Sequence, residues 1–320
     1  MQPAAVLRSL LALAGVVGTM AVAASLVLRQ VDVTSERLVA YVAATPVVVA
    51  VGFGAVVLLL ISGSRARTAV AGVLTTVLAL TQVPLYLGAE VPAEGAATMT
   101  VMTVNLHYGD ADADEILAAV REHGVDVLAT QELTNPAVET LRGEGIDGLM
   151  PFQALNPGGS QGNGLWSRHP LTELDRPGGF DNEPVAAAVD LDGRPVFVAC
   201  VHPESPYPDG AQQWSAEMHR LAEWLEDVDG PAIVAGDFNS TADHRQFRGV
   251  LEAGFEDAAT QVGAGWLPTF PANRRRVPLL ITIDHVLANR GIVATSVERV
   301  VIAGTDHAAL VVRLAVPPGV

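Results

Sequence analysis

The stretch Ala232-Ile-Val-Ala-Gly-Asp237-Phe-Asn239 decides the reading of this chain. Four apolar residues in a row form a short strand buried on both faces. At its end the chemistry changes abruptly to a carboxylate and, two residues on, a carboxamide. Asp237 and Asn239 would share one face of an extended segment. A strand end is rigid yet open to solvent, a good mount for a reactive group.

The same design recurs outward from this stretch. A strand pattern over Met99–Asn105 ends in Asn105. The run Asp126–Thr130 leads to Glu132, and Pro195–Val201 leads to His202. Ile281–Leu287 carries Asp284, and Ala308–Leu314 follows Asp306 and His307. Gly164–Ser167, Val185–Asp190 and Val297–Ile302 read as further strands. Apolar residues at helical spacing predict helices over Ala113–His123, Ala211–Asp227 and His244–Ala253. Many strands with few helices predict two packed sheets flanked by helices.

The polar residues at these ends form a chemically coherent set. Asn105, Glu132 and Asp306 offer hard oxygen ligands of the kind Mg²⁺ or Mn²⁺ takes. No Cys/His group has the spacing of a zinc site. Asp237 could align or deprotonate a water, with Asn239 beside it. His202 and His307 could donate hydrogen bonds to charge developing on phosphoryl oxygens. No Ser-His-Asp arrangement or glycine-rich phosphate loop competes.

Seven motifs stand in the order of the endonuclease/exonuclease/phosphatase superfamily, the DNase I-like fold, and the chain resembles it from about Thr98 to Leu314. They are Thr103-Val-Asn105, Thr130-Gln-Glu132, Gly162-Asn-Gly-Leu-Trp-Ser-Arg168-His-Pro170, Cys200-Val-His-Pro203, Gly236-Asp-Phe-Asn239, Ile283-Asp-His-Val286 and Thr305-Asp-His307. The resemblance implies an α/β fold, a four-layer α/β/β/α sandwich. It implies Glu132 as principal metal ligand, with Asn105 and Asp306 near the metal. It makes Asp237 the group that orients or deprotonates water, with Asn239 fixing that water or a phosphoryl oxygen. His202 and His307 would stabilise the transition state, with Asp284 orienting His307.

Some positions depart from the family pattern. His107 stands where some relatives carry an acid, and no second glutamate bracing His202 can be placed; Asn163 is a candidate for that neighbourhood. His285 should point away from Asp284's face. His123, His219 and His244 read as solvated. The tryptophans of the Ala211–Asp227 helix read as core. Cys200 is the sole cysteine, so no internal disulfide forms, and its apolar surroundings read as a buried strand.

The N-terminal part is a different kind of sequence. Residues 1–88 hold only five Arg and two acids. Three apolar stretches, Val6–Leu28, Leu38–Ile61 and Thr68–Leu87, each approach the ~20 residues that cross a bilayer. They predict three transmembrane helices over 1–88, a linker over 89–98 and a catalytic domain over 99–320. A cleaved signal peptide is the alternative for the first stretch. With Arg8, Arg65 and Arg67 on the inner side, the positive-inside rule places the domain outside the cytoplasm, as a multi-pass cell-membrane protein.

The substrate reading follows from charge and layout. Beyond residue 88 the chain has 14 Arg, no Lys and 33 acids, a formal charge of −19 with His neutral. Such a surface lacks the cations that release counterions from nucleic acid. Arg274, Arg275 and Arg276 form the one dense basic cluster, a candidate clamp for phosphate or lipid headgroups. A phosphate ester held at the bilayer is the expected substrate. The layout is similar to bacterial membrane proteins of the VanJ type, associated with teicoplanin-class antibiotic resistance, which implies a lipid-linked cell-wall intermediate. A surface nuclease and a catalytically silent receptor for lipid or antibiotic are the alternatives.

Overall fold

The computed structural model describes residues 3–88, 91–273, 277–289 and 291–318. The arginine cluster at 274–276 lies outside the described residues. Four helices come first: α1 (Pro3–Leu28), α2 (Glu36–Ala43), α3 (Thr45–Ser62) and α4 (Arg65–Leu80). There follow β1 (Ala97–Asn105), α5 (Ala113–His123), β2 (Val127–Gln131), α6 (Asn135–Gly143), the single turn α7 (Ile146–Leu149), β3 (Phe152–Asn156), β4 (Asn163–Ser167) and β5 (Leu171–Glu173). The second half runs β6 (Val185–Leu191), β7 (Arg194–Val201), α8 (Ala211–Glu226), β8 (Ala232–Asp237), α9 (Arg245–Glu252), β9 (Phe255–Asp257), the short α10 (Ala258–Gln261), β10 (Asp284–Asn289), β11 (Val293–Val301) and β12 (Ala308–Val316).

The strands form two six-stranded sheets, β11-β12-β1-β2-β4-β3 and β5-β6-β7-β8-β10-β9. Each has one parallel pair at its centre, β1 with β2 and β7 with β8, among antiparallel neighbours. Alternation along the strands explains the layers. In β1, Met99 and Val101 enter a core shared with Val198, Cys200, Ile233 and Ala235 of the other sheet. Met102 and Val104 face outward into a second core under α5 and α6. The outer face of the other sheet is covered by α8 and α9, with Trp214 and Phe247 fully buried. The layers therefore run helix, sheet, sheet, helix. The α5 ends are fixed locally: Asp112 caps the first turn through the Glu115 amide, and Gly124 takes the left-handed conformation that stops it.

The N-terminal helices differ from expectation. The apolar run Leu38–Ile61 is not one helix, because it breaks at Ala44 between α2 and α3. Pro46 in the first turn of α3 marks the break, as its ring disfavours a continuing helix upstream. The run Thr68–Leu87 also falls short, since α4 has 16 residues and gives way to a 3₁₀ turn over Val83–Tyr86. Among the described residues, α1 and α3 are long and apolar enough to cross a membrane.

Helices α1, α3 and α4 pack closely at glycines. A Cβ on Gly15 would lie 2.5 Å from the Leu59 side chain, and one on Gly52 would lie 2.6 Å from Thr75. Small residues at such crossings let backbones approach. Helix α2 belongs elsewhere. Its Val39 and Val42, with Val33, join the core containing Trp214, Phe238 and Phe247.

A buried polar junction reinforces that contact. Arg29 donates to the Asp243 carboxylate at 2.7 Å, with both side chains under one-tenth exposed. Gln82 donates to the same oxygen at 2.9 Å. Arg248 donates to the Arg29 carbonyl, and Gln246 donates to the Val33 carbonyl at 2.9 Å. His244 was expected to be solvated, but it is buried. Its Nε2 lies 3.0 Å from the Val39 carbonyl, and its Nδ1 accepts the Thr241 amide at 2.9 Å. Burial lowers its pKa to about 4, so the ring is neutral with its proton on Nε2.

Candidate active site

The inter-sheet core changes character towards the C-terminal ends of β1, β2, β7 and β8. Thr103, Gln131, Asn163 and Cys200 replace aliphatic residues there. Gln131 links Thr103 at 3.1 Å to the Cys200 sulfur at 3.2 Å. Burial pushes the Cys200 thiol up to about 12, so it is an inert packing group. Asn163 donates to the Glu183 carbonyl at 3.0 Å and sits in this floor.

Above the floor the eight sequence-derived residues converge. Asn105, fully buried, ends β1. Its amide nitrogen lies 3.2 Å from Glu132 Oε1 and 3.1 Å from Asp237 Oδ2, donating to both. Its carbonyl oxygen accepts the His107 amide at 2.9 Å. Glu132 follows β2, and its second oxygen accepts the Tyr108 amide at 2.7 Å. Asp306 pairs through Oδ1 with His107 Nδ1 at 2.9 Å.

Asp237 ends β8 and pairs in register with Asp284, the first residue of β10. The two carboxylates are therefore cross-strand neighbours, and His307 bridges them. Its Nδ1 lies 3.0 Å from Asp284 and its Nε2 lies 3.6 Å from Asp237. Burial works against a charge on His307, but the carboxylates of Asp284 and Asp237 outweigh it and raise its pKa to about 10. Oxygens and nitrogens of Asp237, Asp284 and His307 lie within 4.8 Å of one another, a spacing that could hold a metal ion. His307 Nδ1 also lies within hydrogen-bond distance of both Asp284 oxygens, so Asp284 fixes the orientation of the ring.

His202 follows β7, with Nε2 at 3.7 Å from Asp237. Burial lowers its pKa, against the pull of Asp237. The two histidines thus differ in charge, neutral His202 beside cationic His307. Asn239 donates its amide hydrogen to Asp237 Oδ1 at 2.8 Å and its side chain to the Pro203 carbonyl at 3.1 Å. Four residues around this cavity, His107, Tyr108, Glu132 and Asn239, have left-handed φ between 48° and 57°. Non-glycine residues rarely adopt that conformation, and its concentration at one site marks a geometry fixed by the surrounding fold.

Some features were not legible beforehand. Asn182 lies 3.5 Å from His202 Nδ1, near the place a bracing glutamate would take; nothing in its sequence context signals this. Glu217, buried on α8, accepts the amides of Asp181 and Glu204 and so fixes the loops on either side of His202. His285 points away as its alternation implied, pairing with Asp257 at 2.5 Å and lying 2.9 Å from the Ser240 carbonyl.

The catalytic groups open into a cavity of about 540 Å³. Glu132, Asp237 and Asp306 line it with four histidines, and among the described residues no arginine does. A phosphate anion would enter a negatively charged cavity, so the donor set fits a cation. Carboxylate and carboxamide oxygens fit a hard divalent ion.

Two facing sheets clad in helices, with this set at the strand ends, define a DNase I-like α/β sandwich. The endonuclease/exonuclease/phosphatase family model matches residues 102–307. The chain belongs to that family, whose members are typically hydrolases of phosphodiester bonds and commonly use divalent metals. A UPF0294 protein of Vibrio cholerae is 30% identical over 122 residues, spanning 38% of this chain and 41% of that relative. YbhP of Escherichia coli K12 is 26% identical over 211 residues, spanning 56% of this chain and 81% of its own. The endonuclease/exonuclease/phosphatase from Beutenbergia cavernae superposes with a TM-score of 0.53 at 22% identity, covering 68% of this chain and 72% of that one. That likeness concerns the fold.

Proposed function

We propose that the chain hydrolyses a phosphate ester with a divalent metal ion, Mg²⁺ or Mn²⁺, and that its substrate is a lipid-linked phosphate at the outer face of a cell membrane. The observation that carries the chemistry is a carboxylate-lined cavity in which His202 and His307 converge on Asp237, with no arginine among its described residues. Glu132, Asn105 and Asp306 would hold the metal, which supplies Lewis acidity at the phosphoryl oxygen. Asp237 takes the proton of the attacking water, and Asn239 keeps that water in line. Oxygen–phosphorus bond formation expels the leaving oxygen. His307, held charged by Asp284, and His202 donate hydrogen bonds to the developing charge.

Three observations support the membrane reading. Helices α1 and α3 have the length and hydropathy of spans, and α4 packs with them as a shorter third. The C-terminal ends of α1 and α4 meet at Asp243 through Arg29 and Gln82. The α3–α4 turn, with Arg65 and Arg67, then lies at the opposite end, with Arg8 near the start of α1. Positive residues favour the cytoplasm, so this polarity supports an outward position for the catalytic domain. A substrate presented by the bilayer also suits an acidic domain better than nucleic acid does. The resemblance of this layout to VanJ-type proteins favours a cell-wall lipid.

The test uses the full chain in detergent with Mg²⁺ or Mn²⁺. Its panel comprises undecaprenyl pyrophosphate, phospholipids, sphingomyelin, plasmid DNA and bis-p-nitrophenyl phosphate. Activity that survives both EDTA and Asp237→Asn would refute the mechanism. Rapid DNA cleavage with inert lipids would refute the substrate. An inactive C-terminal alkaline phosphatase fusion beside an active cytoplasmic reporter would overturn the topology.

A further inference from the structure

The catalytic cavity has a wall that no phosphoester chemistry requires. Besides its polar groups it is lined by Val39, Ala40 and Ala43 of α2 and by Phe270, Ile281 and Ile283, with Phe270 packed against the His307 ring at 5.0 Å between centroids. Helix α2 is the connection between the two membrane-length helices, separated from α3 by Ala44 alone. Its Val39 and Val42 hold it to the domain, while Ala40 is left exposed on the cavity side. Tyr108 and Tyr207, which also line the cavity, are 61% and 72% exposed. Aromatic residues with a polar tip favour a bilayer interface. Glu36 and Glu204 complete the lining with negative charge.

From this juxtaposition we propose that α2 is a specificity element: it receives the apolar chain of an amphiphilic phosphate ester whose phosphoryl group sits at Asp237, His202 and His307. The proposal rests on the phosphoesterase reading above and adds where the substrate's chain lies. The cavity volume suits a small ligand with one chain. The acidic lining disfavours polyanions such as nucleic acid, which carry a charge at every nucleotide. A single phosphate on an apolar chain places its one charged group at the metal and its chain against α2. The wall continues directly into α3, so the chain can remain in the bilayer while its head is hydrolysed.

The test is a p-nitrophenyl alkyl phosphate series with methyl, butyl and octyl chains, all below their micellar concentrations. The full-length protein is assayed in detergent with Mg²⁺ or Mn²⁺. The reacting bond is the same in each, so only the chain varies. In the wild type kcat/KM should rise at least about tenfold from methyl to octyl, through KM more than kcat, since each buried methylene favours binding. In Ala40→Asp the octyl-to-methyl ratio should fall towards one. Equal kcat/KM across the wild-type series overturns the α2 assignment and leaves the phosphoesterase reading intact. An unchanged ratio in Ala40→Asp overturns it too. Absence of hydrolysis for every ester with either metal overturns both readings. The wild-type series needs no variant, so misfolding of Ala40→Asp does not blunt the test.

Discussion

Acidification should loosen the contact between α2 and the catalytic domain through one side chain, His244. Its neutral ring is built into the junction, with Nε2 facing the Val39 carbonyl and Nδ1 accepting the Thr241 amide. A second proton would have to go on Nδ1, where a donor already points. Its folded pKa of about 4 lies below the ordinary 6.5. The stability this provides is therefore present above pH 6.5 and is lost as pH falls towards 4. Full protonation costs about 3 kcal/mol at one pH unit per 1.36 kcal/mol, and about 2 kcal/mol of that is spent between pH 7.5 and 5. For a protein of this size that lowers the melting temperature by roughly 4 °C. Trp214 packs edge-on against His244 at 5.2 Å between ring centroids and reports the event by its fluorescence. His244→Gln keeps a donor for Val39 but has no titrating ring. Between pH 7.5 and 5 the wild type should lose about 2 kcal/mol more than the variant. Equal losses in the two proteins would refute the reasoning.

Arg29→Ala should destabilise the full chain by about 3 kcal/mol, because among the described residues it leaves the buried Asp243 carboxylate with only Gln82 as a side-chain donor; the double variant Arg29→Met/Asp243→Leu should lose less, read by thermal unfolding in detergent. Asp237→Asn should lower kcat by about a thousandfold on bis-p-nitrophenyl phosphate, with a melting temperature equal to or above that of the wild type, since a buried charge is removed. Gly52→Leu should destabilise the helical bundle by about 1–3 kcal/mol, as its Cβ meets Thr75 at 2.6 Å, whereas Gly54→Leu, with nothing within 4 Å, should be silent in the same melt.

The site was readable because its residues sit at ends of buried strands, where a polar residue after an apolar run is conspicuous. Register then did the rest. Asp237 and Asp284 are far apart in sequence yet adjacent across β8 and β10. Groups that act through loops left no such trace. Asn182 and Glu217 lie in stretches where a polar residue is unremarkable, and only the fold brings them beside His202. The second and third N-terminal stretches depart from expectation for a related reason. Hydropathy is high throughout Leu38–Ile61, so its average hides the break at Ala44; the local signal was Thr45-Pro46. Helix α6 was missed although Thr134 caps it and Pro136 opens it. His244 looked solvated because a histidine at a helix start usually is, and its partner Val39 is 205 residues away.

The segment from Asp237 to Gln246 joins the two halves of the molecule. Its first residues, Asp237 and Asn239, face the cavity, while Asp243, His244 and Gln246 contact the Arg29–Val39 region and Gln82. Ser240 between them is held by His285, which is fixed in turn by Asp257. A chain cut to residues 96–320 would lose every partner of Asp243 from α1 and α4. It would also open the core beside Trp214 and Phe247. The catalytic side chains would all remain, but the loop carrying Asn239 would lose its backing. Such a fragment should therefore show a lower kcat on the soluble bis-p-nitrophenyl phosphate as well as on lipids. If it matched the full chain on the soluble ester, the helices would act on substrate delivery and the α2 wall alone, and not on the geometry of the site.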